Sequence, residues 1–224
     1  MASYKLIIAH IRGCPLPKKL AELMEKYGLP DGDEYGVLDC SAGPEALAGT
    51  IVRRTQQTVQ KLDQANKAIT AQPVERITTY PFAVYPAKER LEIFAGSSAS
   101  IDVMAAFFSS CLAQPTVIEP FELDIPAAVE KLSGSKRFQI RSVRVSDFAH
   151  NSYMIGPYSP KFTDNEHGKS FLYQYEAGLT AASVRFQGAT GRVTLSLPKT
   201  ACFSYSCKEE DQTAVKALLR SLVG

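Results

Sequence analysis

The stretch from Arg76 to Ala113 constrains the fold more tightly than any other part of the chain. Tyr80, Phe82 and Val84 alternate onto one face of a strand, and Leu91 and Ile93 share a face of a second. Ala87-Lys88-Glu89-Arg90 forms the charged turn between them. Pro81 and Pro86 have no N–H to donate, which places the first strand at an edge or a bulge. Ile101, Met104, Phe108 and Cys111 then recur at three and four residues, widened by Phe107 and Leu112. That spacing predicts an amphipathic helix over 98–113. Ser98 or Ser100 caps its first turn, Asp102 adds a favourable charge there, and Gln114-Pro115 ends it.

Composition bounds the rest. The chain has 224 residues, 45% hydrophobic and 21% charged, which suits a packed globular protein and argues against disorder. A net charge of +2 implies no polyanionic partner by itself, so any such partner must be argued from local clustering. The five cysteines are scattered and odd in number, with no CxxC pair. Cys202 and Cys207 lie five apart in a strand and point to opposite faces, which argues against a bridge or a zinc pair. Reduced thiols and the lack of a signal peptide or a transmembrane run point to a cytoplasmic protein with no membrane partner. No cofactor is implied.

Taken in order, Tyr4–Ile11 is a strand, Lys18–Tyr27 a helix and Tyr35–Cys40 a strand. Residues 50–86 fit two patterns. Val52, Thr55, Val59 and Leu62 have helical spacing, but the Thr, Val and Ile content and the turn-like 63–67 favour a long hairpin. Thr50–Leu62 would pair with Ala68–Val84 and project as an arm. Pro115–Leu123 reads as a strand, and Asp124 caps the short helix that follows it. Arg137–Phe148 is a strand in which Phe138 and Ile140 are out of phase with Val143 and Val145. One bulge near Ser142 restores a single apolar face. The span 147–170 reads as a long polar loop, followed by strands at Phe171–Tyr175, Leu179–Gln187, Arg192–Leu197 and Ala201–Cys207 and a final helix over 208–223. The fold class is α+β, mainly antiparallel sheet with a long hairpin arm, two or three short helices and a C-terminal helix. A boundary at Ser133–Lys136 would separate a β/α part, 1–134, from a strand-rich part, 135–224; a single continuous domain is the other arrangement.

Strand phasing supplies the main candidate site. With the apolar residues inward, Arg137, Arg141, Arg144, Arg185 and Arg192 turn outward, with Gln187, Thr194 and Ser196 among them. If these strands share a sheet, the guanidiniums form a face that contacts phosphates without reading bases. The competing explanation is a solvated outer face with its arginines paired to carboxylates. Phe171, Tyr173 and Tyr175 alternate as base-stacking residues would, or as a half-buried strand does. Asp147, His150, Asp164, Glu166 and His167 have metal-ligand identities but no ligand spacing, and His10 is read as structural. Glu119, Glu122 and Asp124 lack the Glu-x-Lys of a metal-dependent nuclease. No nucleophile elbow, phosphate-binding loop, dinucleotide fingerprint or HExxH is present.

The order of elements from Arg76 to Asp147 resembles RdgC, the bacterial recombination-associated, ring-forming DNA-binding protein. The likeness lies in the strand pair closing on Leu-Glu-Ile-Phe-Ala-Gly-Ser, the helix Ile101–Leu112, the Pro-bounded strand 115–123, and Arg-Phe-Gln-Ile-Arg-Ser-Val-Arg-Val-Ser-Asp. It covers about a third of the chain and fixes no individual residue. The resemblance implies non-specific DNA binding by a homodimer without catalysis. Three functions are therefore expected. The first is a non-enzymatic nucleic-acid binder using the arginine face. The second is an assembly subunit of a homo-oligomer or protein complex, using the arm at 50–86. The third is an enzyme with its site in loop 147–170.

Overall fold

A computed structural model describes residues 1–28, 33–63, 67–94, 96–151 and 153–223. The chain runs as β1 (Ala2–Ile11), α1 (Pro17–Met24), β2 (Tyr35–Ala42), β3 (Leu47–Asp63), β4 (Ala68–Tyr85), β5 (Arg90–Ile93), α2 (Ala99–Leu112), β6 (Ile118–Pro120), α3 (Ile125–Ser133), β7 (Gln139–Asn151), β8 (Met154–Tyr158), α4 (Asn165–Gln174), β9 (Leu179–Gln187), β10 (Arg192–Pro198), β11 (Cys202–Cys207) and α5 (Gln212–Leu222). The class is α+β, with antiparallel sheet dominant. Among the described residues no helix is long and apolar enough to cross a membrane.

The chain divides into two compact units. One comprises Met1–His10, Gly96–Ile101 and Glu119–Gly224; the other comprises Ile11–Ala95 and Asp102–Ile118. The boundary expected at Ser133–Lys136 therefore falls inside the first unit. The pairing of β1 with β11 explains the difference: the first strand of the chain belongs with the last, a long-range contact that local composition does not record.

In the second unit β2, β3, β4 and β5 are neighbours in that order. Ile51 and Tyr80 pair across β3 and β4, and Phe82 meets Phe108 of α2 edge-on with ring centroids 5.9 Å apart. Met104, Phe107 and Phe108 are all fully buried, as the stripe requires. The hairpin is in unbroken register from Leu47↔Val84 to Asp63↔Ala68. β2 pairs only with Leu47–Arg53 and β5 only with Phe82–Tyr85, so the ribbon from Thr55 to Asp63 and back to Arg76 runs beyond its sheet neighbours. The turn 64–66 lies outside the described residues.

In the first unit the strand order is β1-β11-β10-β9-β7-β8. Leu6, Phe203, Tyr205, Leu195, Val184, Ile140, Val143 and Val145 are buried. Register places them on one face: Leu6↔Phe203, Leu195↔Tyr205, Leu195↔Val184 and Ile140↔Val184. The helices cover this face. Gly168 of α4 sits so close to Ile140 that a Cβ would meet it at 3.0 Å. α3 lies beside α4 through Lys169 Nζ to Glu130 Oε2, 2.7 Å, and Lys131 donates to the Ser221 carbonyl of α5. At about 25 cal/mol per Å2, each fully buried Leu, Ile or Phe adds roughly 1.5–3 kcal/mol.

The long loop expected over 147–170 and the strand expected at Phe171–Tyr175 are both replaced. β7 runs on into β8, and Asn165–Gln174 is a helix. Asp164 Oδ1 accepts from the His167 N–H at 2.9 Å, an N-cap. Asn165 accepts from the Ile140 N–H and donates to the Phe138 carbonyl, tying the helix start to β7. The alternation of Phe171, Tyr173 and Tyr175 was misleading. Leu172 is the buried residue, four beyond Gly168, and the Phe171 and Tyr175 rings meet at 4.5 Å, four apart on the same helical face. The strand expected over Pro115–Leu123 is confined to Ile118–Pro120.

Candidate nucleic-acid interface

The other side of the first sheet is exposed or half-buried along its strand positions, with Gly96–Ser98 bordering its Lys5 and Ser204 corner. Alternation within the registered pairs puts Ser3 and Lys5 of β1, Ser204 and Ser206 of β11, Arg192, Thr194 and Ser196 of β10, and Ser183, Arg185 and Gln187 of β9 on it. Gln139, Ser142 and Arg144 of β7 complete the set. Cross-strand rows result. Ser142, Ser183, Ser196, Ser204 and Lys5 stand in one row, and Gln139, Arg185, Thr194, Ser206 and Ser3 in the next. None of these strand positions is a carboxylate or an aromatic.

The bulge makes the arrangement. Ile140 pairs with Val184 and Ser142 with Ser183, so Arg141 is the extra residue of β7. Without it, either Ile140 or Val143 would face out; with it, both are fully buried. Arg185 then has Arg141 and Arg192 as charged neighbours. Its pKa is lowered, first by desolvation and then by repulsion from these two. Arg192 pairs with Gln187 and Arg185 with Thr194, so the two arginines are diagonal neighbours about 7–8 Å apart at Cα. One Arg185 amino group donates to Gln139 Oε1 at 2.6 Å, which fixes the guanidinium across the strand pair. Among the described residues none of Arg141, Arg144, Arg185 and Arg192 is ion-paired to a carboxylate.

The five expected arginines are thus sorted. Arg141, Arg185 and Arg192 converge. Arg144 shares the face but pairs with Ala181, four residues along β9 from Arg185, or about 13 Å. Arg137 precedes the strand, with a left-handed φ of 53°, and is not one of Arg185's charged neighbours. The hydroxyls of Ser204 and Ser206 and the ammonium of Lys5 escaped sequence reasoning. Their alternation in Cys-Phe-Ser-Tyr-Ser-Cys is legible, but the pairing that brings β1 beside it is not.

The other candidates have local explanations. Asp164 and His167 form a helix-capping pair, His167 Nδ1 lying 2.9 Å from both carboxylate oxygens. The bonds to His167 hold the Asp164 carboxyl below its usual range, and those same contacts raise the imidazole. Asp124 accepts from the Ala127 N–H to start α3. His10 stacks on Phe121 at 3.6 Å. Phe171 and Tyr175 belong to a ring cluster with Phe148, Tyr158 and Phe162, and Tyr173 alone of the expected trio is exposed. The side chain of His150 lies outside the described residues. Among the described residues no three His, Cys, Asp or Glu side chains are grouped to hold a metal ion.

No protein-family model matches this chain, and no curated protein matches it.

Proposed function

We propose that the outer sheet face of the first unit binds nucleic acid through its phosphates, without catalysis. One observation carries this reading: Arg141, Arg185 and Arg192 are neighbours on the outer sheet face, and among the described residues none of them is ion-paired to a carboxylate. Like charges gathered in this way oppose folding locally, and a polyanion relieves them. The hydroxyl rows beside them supply donors for phosphate oxygens. Guanidiniums stay protonated and offer no general base, so the face can hold a phosphodiester but has no group to cleave it. None of the named strand positions on it is aromatic, which favours backbone contact over base stacking.

The test is charge reversal. Arg141→Glu with Arg185→Glu places two carboxylates at exposed or half-exposed positions and leaves the core untouched. Binding of a fluorescein-labelled 20-base-pair duplex, followed by anisotropy, should be lost in the double variant. Wild-type affinity in a folded double variant would remove this face from consideration.

A further inference from the structure

The β3–β4 ribbon is two-faced, and one of its faces has the chemistry of a groove reader. Register puts Thr55, Gln57, Val59 and Lys61 on one side of the arm with Thr70, Gln72, Val74 and Arg76. The opposite side carries Gln56, Thr58, Gln60 and Leu62 on one strand and Ile69, Ala71, Pro73 and Ile77 on the other, with Arg54 and Glu75 ion-paired at 3.5 Å. The first side therefore collects two amides, two hydroxyls, a lysine and an arginine around two small aliphatic residues. All but Thr55 of these residues are exposed. Lys61 and Arg76 have no carboxylate partner among the described residues.

We propose that this polar side of the arm enters the major groove of duplex DNA. The inference rests on the reading that the protein binds nucleic acid, and adds a second contact surface in the other unit. The dimensions agree. Nine paired residues from Thr55 to Asp63 make a ribbon about 27 Å long, with strands about 4.8 Å apart. A major groove about 12 Å wide admits a two-stranded ribbon, and the minor groove, at about 6 Å, does not. The chemistry agrees as well. Gln57 and Gln72 are the side-chain type that pairs with the adenine edge, Val59 and Val74 can meet a thymine methyl, and Lys61 and Arg76 flank them as phosphate contacts. Register makes the pattern reciprocal: Gln57 faces Val74, and Val59 faces Gln72, so each strand offers an amide opposite an aliphatic residue. A two-stranded ribbon is marginally stable alone, which suits a segment completed by its ligand.

The experiment uses the full chain, a labelled 20-base-pair duplex and its single strand, each titrated across a salt series. Lys61→Gln with Arg76→Gln changes only exposed side chains, and circular dichroism checks the fold. The variant should make the log–log salt slope for the duplex shallower by about 1.8, because two phosphate contacts are lost at about 0.9 each. Gln57→Ala with Gln72→Ala should reduce the preference among duplex sequences while leaving that slope in place. Duplex binding with an unchanged slope in Lys61→Gln/Arg76→Gln would overturn the groove assignment and leave the sheet-face reading intact. So would a Leu62→Ser/Ile69→Ser variant that turned an oligomer into a monomer and lost no more DNA affinity than that dissociation explains, since the arm would then be an assembly device. A wild-type protein that bound neither probe would sink the sheet-face reading first, and this one with it.

Discussion

Neutralising the arginine cluster should have opposite effects on binding and on folding. Each arginine that meets a phosphate releases counterions, and contributes about −0.9 to the slope of log affinity against log salt on a duplex. Arg141→Gln with Arg192→Gln removes two such contacts and should flatten the slope by about 1.8. Between about 50 and about 200 mM salt, that is about twelvefold less weakening than in the wild type. Adding Arg185→Gln brings the change to about 2.7, or about 40-fold over the same range. The stability effect runs the other way. The pKa of Arg185 is held down by burial and by its two neighbours, so the protonated cluster is mildly unfavourable in the folded state. Arg141→Gln and Arg192→Gln should therefore leave the thermal midpoint unchanged or raise it. The assays are anisotropy across a salt series and a thermal melt on the same preparations. A slope that did not move, or a variant that melted earlier in proportion to its lost binding, would show that the arginines hold the fold and not a ligand.

Three further outcomes follow from particular contacts. Asp211 is buried and accepts from both the N–H and the hydroxyl of Thr190, closing the β9–β10 turn over Gly188. Asp211→Ala should cost about 1–3 kcal/mol in chemical denaturation and Asp211→Asn less, since the amide keeps an acceptor. His167 should titrate by NMR above the usual imidazole range of about 6.5, and Asp164→Ala should return it there. The charged imidazole supports the α4 cap fully below that range and fades as pH rises through its raised value. The depressed Asp164 carboxylate supports it above the ordinary carboxylate range and fades as pH falls, so the cap is strongest between the two. Burial pushes the Cys14 and Cys111 thiols up to about 11, so both should resist alkylation at pH 8 until the protein unfolds.

What the sequence disclosed was whatever depends on neighbours along the chain. The apolar stripe of Met104, Phe107 and Phe108, the cap at Asp124 and the bulge that brings Ile140 and Val143 to one face are local patterns, and each has its structural counterpart. The hairpin was legible because Thr and Val recur on both sides of a turn-like pentapeptide. The failures are equally physical. At Phe171–Tyr175 an aromatic alternation suits a strand, but Asp164, Gly168 and Leu172 set a helical period that starts seven residues earlier. Arg137 fits the alternation of the strand after it, but that strand begins two residues later, at Gln139. Lys5, Ser204 and Ser206 were invisible as a group because β1 and β11 stand at opposite ends of the chain. The arginine cluster was half legible: alternation gives the outward phase of Arg185 and Arg192, and only the pairing of β7, β9 and β10 gives their convergence with Arg141.

Placing the ligand on one side of the sheet is the most direct check. Ser196 stands in the hydroxyl row of the outer face, while Glu130 lies on α3, on the helical side. Single cysteines at these two positions, in a background with the native cysteines replaced, can carry the same benzophenone label. With a bound duplex, irradiation should yield a protein–DNA crosslink from the label at 196 and none from the label at 130. Crosslinking from 130 alone, or equally from both, would contradict the account.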